Sequence, residues 1–137
     1  MIVKQTKIRV RYSESDQMKF THHSNYVAFF EIGRIEFLRD LGINYSKLEQ
    51  LGIGLPVLNI DVKYIKPTFF DDEILIETRL ENKPSGAKIL FSYKIYNLNN
   101  ILLTKGSTEL AFMNLNTGKP IRCPENLNKI FSPYFDI

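Results

Sequence analysis

The segment Asn25-Tyr26-Val27-Ala28-Phe29-Phe30-Glu31-Ile32-Gly33-Arg34-Ile35-Glu36-Phe37-Leu38-Arg39-Asp40-Leu41 decides the fold. Tyr26, Phe30, Gly33, Phe37 and Leu41 fall on one helical face, and Val27, Arg34 and Leu38 on the next. Phe29, Ile32 and Ile35 add apolar positions outside both, so the apolar surface is wider than the stripe of an ordinary surface helix. The spacing predicts a helix buried on most sides. Ser24 or Asn25 can cap its start, and Gly42 is placed to stop it.

Such a helix needs a sheet around it, and the flanking sequence supplies one. Upstream, Ile8, Val10 and Tyr12 alternate with Lys7, Arg9 and Arg11, a strand with one buried face ending near Tyr12. Downstream, Ser46-Lys47-Leu48-Glu49 reads as a capping box opening a short helix that Gly52 ends, a surface appendage. After Pro56 come strand-like runs at about 57–66, 73–82, 88–97 and 101–114. The turns Lys83-Pro84-Ser85-Gly86 and Leu98-Asn99-Asn100 are short enough to require antiparallel neighbours, and a meander is the simplest topology. Gly106 marks a bulge or a close backbone approach in the last run, and the tail from Asn116 reads as irregular. The expected class is α+β, one domain over residues 1–137, with an antiparallel sheet of about five strands curved around one long helix. One helix leaves sheet edges uncovered, which predicts a homodimer or higher oligomer.

Composition bounds the function. With 137 residues, 44% hydrophobic and 24% charged, the chain is neither disordered nor collagenous. No stretch is long and apolar enough to span a bilayer, the N-terminal residues lack a secretory pattern, and the single cysteine, Cys123, excludes an internal disulfide, so the expected compartment is cytoplasmic. The net charge of +3 suits an anionic ligand, but Lys and Arg are scattered. Phe91, Tyr93 and Tyr96 lack an RNA-recognition signature, so no nucleic acid is expected.

The chemistry concentrates in Tyr12-Ser13-Glu14-Ser15-Asp16-Gln17-Met18-Lys19-Phe20-Thr21-His22-His23-Ser24, which holds two carboxylates and both histidines just before the long helix. A helix start offers unpaired N–H groups for an oxyanion, and a carboxylate beside it can activate water or attack an acyl carbon. Acyl transfer needs both. Without further context an Asp at this place is more often a turn former, Glu14 a solvated or salt-bridged loop residue, and Glu31 with Arg34 a local ion pair. Two adjacent histidines without a third ligand make a poor metal site, so no metal is expected.

The motifs Val10-x-Tyr12-x-Glu14-Ser15-Asp16 and His23-Ser24-Asn25-Tyr26-x-x-Phe29-Phe30-Glu31, with Arg34, Tyr64-x-x-Pro67 and Asp71-Asp72, cover most of the chain. In them the sequence resembles the 4-hydroxybenzoyl-CoA thioesterase-like branch of hot-dog acyl-CoA thioesterases, including the branch associated with the Tol-Pal envelope system. The resemblance implies a hot-dog fold and hydrolysis of an acyl-CoA to a carboxylic acid and free CoA, with no cofactor beyond the coenzyme A of the substrate. It implies Asp16 as nucleophile or general base, the backbone N–H near His23 as donor to the carbonyl with the His23 ring assisting, and a site role for Tyr12. Asn25 and Tyr26 enter as substrate-binding residues. The family is commonly Gly-rich after the aspartate, where this chain has Gln17-Met18-Lys19, and often aromatic at His22. An acyl-carrier-protein thioesterase and a non-catalytic acyl-thioester binding module are the alternative readings.

Overall fold

Alternation of side chains starts at Ile2, six residues before the first apolar position used above, and carries a strand β1 over Ile2–Arg9. The computed structural model describes residues 1–136. β1 does not reach Tyr12: the Glu14 carboxylate accepts the Arg11 N–H at 2.6 Å, and Tyr12–Glu14 form a 3-10 turn that swings the Tyr12 ring to 79% exposure. The helix α1 follows at Asn25–Asp40, then α2 at Tyr45–Gln50 and a two-residue strand β2 at Ile53–Gly54. The main strands are β3 (Val57–Tyr64), β4 (Glu73–Leu80), β5 (Lys88–Asn97) and β6 (Leu102–Ala111). β7 (Met113–Asn114), β8 (Lys119–Pro120) and the helix α3 (Glu125–Phe135) complete the chain.

The five-stranded sheet has the order β1-β4-β5-β6-β3 and is antiparallel throughout. The two short turns make hairpins, as expected, but the meander holds only for β4, β5 and β6. β3 lies at the far edge against β6. Ile65 and Lys66 both donate to Leu103 O, at 3.0 and 2.9 Å, so the chain rounds the start of β6 before crossing the sheet end to β4. That crossing lays residues 67–72 beside the loop before α1.

α1 packs on β1, β4 and β5, as a hot-dog fold requires. Two glycines let it lie flush. A Cβ on Gly33 would stand 2.6 Å from Thr78 Oγ1, and one on Gly106 would stand 2.7 Å from the Phe30 ring, which stacks on Tyr93 with centroids 4.4 Å apart. Gly106 is therefore a close approach, and the register shifts lie at Ile95/Tyr96 and Val57/Asn59 instead. Arg34 Nη2 stands 3.9 Å from Glu31 Oε2, the expected local ion pair, although Arg34 is buried.

Three readings of smaller elements need correction. Asn44, not Ser46, caps α2, its Oδ1 accepting Ser46 N–H at 3.0 Å and Lys47 N–H at 3.3 Å. Leu48 is 3% exposed, so α2 is anchored in the core and is no appendage. The tail is not irregular either: β7 and β8 pair, and α3 buries Leu127 and Phe131, four residues apart on one face. No helix among the described residues is long and apolar enough to cross a membrane.

Candidate active site

The polar density of residues 11–24 resolves into a small hairpin clamped at both ends. Ser15 bridges Thr21, and His22 N–H donates to Glu14 O at 2.7 Å. Glu14 is salt-bridged to Arg11, as one reading had it, but at 4% exposure it is a buried brace and not a solvated residue. Asn25 Nδ2 donates to Glu14 O at 2.9 Å and to His22 O at 3.3 Å, tying the hairpin to the first turn of α1.

The same hairpin is stapled to residues 67–72. Thr21 N–H donates to Thr68 O at 2.8 Å, Phe20 bridges Phe69, and Thr68 Oγ1 donates to Thr21 Oγ1 at 2.5 Å while meeting Tyr26 OH at 3.1 Å. Thr68 is fully buried, so its hydroxyl joins three segments in a place where water cannot substitute.

At the hairpin tip Asp16 N–H donates to Phe20 O at 2.8 Å, and Asp16 Oδ1 accepts Met18 N–H at 2.8 Å. Oδ2 accepts from no described residue. Lys19 N–H returns to Asp16 O at 3.0 Å, and closing this turn takes Lys19 to φ 68. Of Gln17, Met18 and Lys19, Lys19 alone takes the left-handed conformation that favours glycine, and it does so at a cost in strain.

At the helix start Ser24 holds the N-cap position but makes no side-chain cap bond. Its hydroxyl lies 2.8 Å from His22 Nδ1, which also accepts Ser24 N–H at 3.2 Å. Asn25 N–H and Tyr26 N–H close on His22 O and His23 O at 3.0 and 3.3 Å. Tyr64 OH donates to His23 O at 3.2 Å; partial desolvation of this half-exposed ring, and then the neighbouring Tyr26, raise its pKa above the usual tyrosine value. His23 N–H is left without a partner among the described residues.

Asp16 forms the wall between two grooves. One, of about 810 Å³, is lined by Tyr12, Ser15, Gln17, Lys19, Phe69 and Phe70, with Tyr12 and Phe70 edge to face at 5.4 Å. The other, of about 390 Å³, includes Met18, Phe20, His23, Tyr26, Tyr64 and Lys66. The structure thus brings Asp16 and His23 together on the smaller groove and Asp16 and Tyr12 on the larger. The polar atoms of Asn25 and Tyr26 turn inward, onto the hairpin and Thr68.

The family model described as the Thioesterase-like superfamily matches residues 10–131. The chain belongs to this superfamily. Inside the matched span of this thioesterase-like chain lie the whole hairpin, α1, residues 67–72 and most of α3. Among curated relatives, a putative acyl-CoA thioesterase, YneP of Bacillus subtilis, is 34% identical over 122 residues, covering 89% of this chain and 88% of that protein. An acyl-acyl carrier protein thioesterase, ATL3 of Arabidopsis thaliana, is 28% identical over 130 residues, covering 93% of this chain and 66% of that protein. Among solved structures, a DHNA-CoA thioesterase from Staphylococcus aureus superposes with a TM-score of 0.85 at 35% identity, covering 98% of this chain and 85% of that one.

Three residues of this thioesterase-like site escaped the sequence reading: Thr68, Phe69 and Phe70. Two adjacent phenylalanines in a turn before a strand, at 41% and 48% exposure, are the signal that could have found the groove wall. Nothing in the sequence marks Thr68 as a hub, because its partners Tyr26 and Thr21 are 42 and 47 positions away.

Proposed function

We propose that the protein is an acyl-CoA thioesterase, hydrolysing a thioester to a carboxylic acid and free CoA. One observation carries this reading: Asp16, with one carboxylate oxygen uncommitted, and His23, with its N–H unpartnered among the described residues, line one groove. A thioester lying there directs its carbonyl oxygen to His23 N–H, which stabilises negative charge developing on that oxygen. Asp16 then either attacks the carbonyl carbon, forming a mixed anhydride as the thiolate leaves, or takes a proton from the water that attacks. A single turnover in H₂¹⁸O tests for the anhydride: label in the Asp16 carboxylate shows that it forms and is opened by water at the aspartyl carbon, and where label stays in the product acid, trapping of an acyl-enzyme by hydroxylamine separates opening at the acyl carbon from the general base.

Tyr12 and the His23 ring line the two grooves and serve as substrate contacts in this reading. Asn25 and Tyr26 act by fixing the hairpin, a positioning role narrower than the substrate contact the resemblance implies. Asp16→Asn keeps the side-chain shape and removes the base, so thiol release falls by roughly 10²–10⁴-fold with an unaltered thermal melt. Full turnover in a folded Asp16→Asn variant would sink the assignment.

The likeness to ATL3 favours one second reading, an acyl-carrier-protein thioesterase. Comparing one acyl chain on CoA and on acyl carrier protein decides it, by which has the higher kcat/KM. A non-catalytic binding module is excluded by any turnover that Asp16→Asn abolishes. A second copy covers the edge strand β3 in this proposal, because Val57, Leu58, Ile60 and Tyr64 stand exposed along it. Light scattering at micromolar concentration gives a dimer or tetramer if so, and a monomer if not.

A further inference from the structure

Lys19 is the one residue of the hairpin held in the left-handed region, at φ 68, where a side chain is disfavoured and glycine is free. Lys19 lines the larger groove together with Asp16, and it is the only cation among the residues lining that groove. Its peptide N–H is bonded to Asp16 O at 3.0 Å, which fixes the lysine relative to the carboxylate. No carboxylate of the described residues comes within ion-pair distance of its ammonium, which leaves its charge free for a ligand, whereas Lys7, Arg9 and Arg11 on the strand and turn before it are paired. Apart from Asp16, the remaining lining, Tyr12, Ser15, Gln17, Phe69 and Phe70, is aromatic or uncharged polar and supplies no anion.

Lys19 is exposed and lies in a turn, yet it takes a left-handed backbone position that glycine would hold freely, beside the proposed nucleophile, and strained positions concentrate where a side chain has to be aimed. We infer that Lys19 is a specificity-determining residue that binds a negative charge carried by the acyl part of the substrate. The inference rests on the thioesterase reading and adds to it a substrate class: acyl groups bearing their own carboxylate or comparable anionic oxygen a few bonds from the thioester.

The phosphates of CoA are the other anionic source. The whole pantetheine arm separates them from the thioester, and Lys19 sits three residues from Asp16 with its backbone tied to it. That geometry favours the acyl side.

The test compares glutaryl-CoA with hexanoyl-CoA, chains of similar length with and without a terminal charge, on wild type, Lys19→Gln and Lys19→Gly. Wild type is expected to prefer glutaryl-CoA in kcat/KM, and either substitution to cut that preference by roughly tenfold to a hundredfold, the worth of a charge-assisted contact. Lys19→Gly is also expected to melt at or above the wild-type temperature, which separates lost specificity from lost fold. An unchanged preference overturns the inference. So does an equal loss on both substrates, and if that loss disappears with acyl N-acetylcysteamine thioesters, which lack the phosphates, Lys19 serves CoA. Binding of the same pair to Asp16→Asn and to Asp16→Asn with Lys19→Gln, by calorimetry, reads the preference without turnover. Wild type inactive on both thioesters, with the binding preference present and lysine-dependent, would sink the hydrolase reading and leave the Lys19 assignment standing.

Discussion

The hairpin before α1 and the interior between α1 and the sheet are built by opposite means. In the interior Phe29, Phe30, Phe37, Phe91 and Phe112 are wholly buried, and contact among rings holds the elements. In the hairpin the large apolar side chains, Tyr12, Met18 and Phe20, stand partly in solvent, and hydrogen bonds to buried Thr68, Glu14 and the peptide groups hold the chain. Apolar packing is non-directional and supplies stability; hydrogen bonds are directional and supply position. A site that must aim one carboxylate and one N–H needs the second kind.

This contrast can be broken by mutation. Phe30→Ala removes a ring stacked on Tyr93 over Gly106 and is expected to cost about 3–5 kcal/mol in denaturant unfolding, while the protein that remains folded keeps its turnover per site. A selective loss of turnover would show that the interior also aims the site. Thr68→Val keeps the volume and deletes the hydroxyl shared by Thr21 and Tyr26. The expected cost is about 1–3 kcal/mol, accompanied by a fall in kcat larger than that of Phe30→Ala.

Two smaller effects sharpen the boundary between the regions. Asn44→Ala removes the α2 cap and is expected to cost about 1 kcal/mol with kcat unaltered, since α2 lies outside both grooves. Cys123 tests the interior by pH: burial pushes its thiol above the ordinary cysteine value, up to about 11. The reactive thiolate is therefore scarce at pH 8 and rises about tenfold per pH unit toward that value. Labelling by a disulfide reagent should be slow at pH 8 and accelerate as pH rises; fast labelling at pH 8 would mean that the segment before α3 opens. Slow labelling also keeps background low in a thiol-release assay.

What could be read beforehand follows the same division. α1 was legible because its apolar positions exceed a stripe, and the hairpin because polar residues and both histidines crowd into one short segment. The place of β3 was not: antiparallel pairing with β6 or with β4 asks the same residue types, and only the route of residues 65–72 around β6 decides. α3 was hidden by Pro124 and Pro133, yet Pro124 occupies the N-cap position, where a missing N–H is tolerated, and Pro133 lies inside the helix, where the lost bond is offset by the burial of Leu127 and Phe131. Glu14 looked like a surface charge because the groups that bury it comfortably, the Arg11 peptide and guanidinium, are invisible in a residue pattern.

The staple at Thr68 has a consequence for how such chains can be recombined. The hairpin and residues 67–72 form one working part written in two places, joined by Thr21–Thr68, Tyr26–Thr68 and Phe20–Phe69. A chimera of two relatives with its crossover anywhere between α1 and β3 takes one half of that part from each parent. Crossovers after residue 72 keep it whole, so viable hybrids should inherit both halves from the same parent.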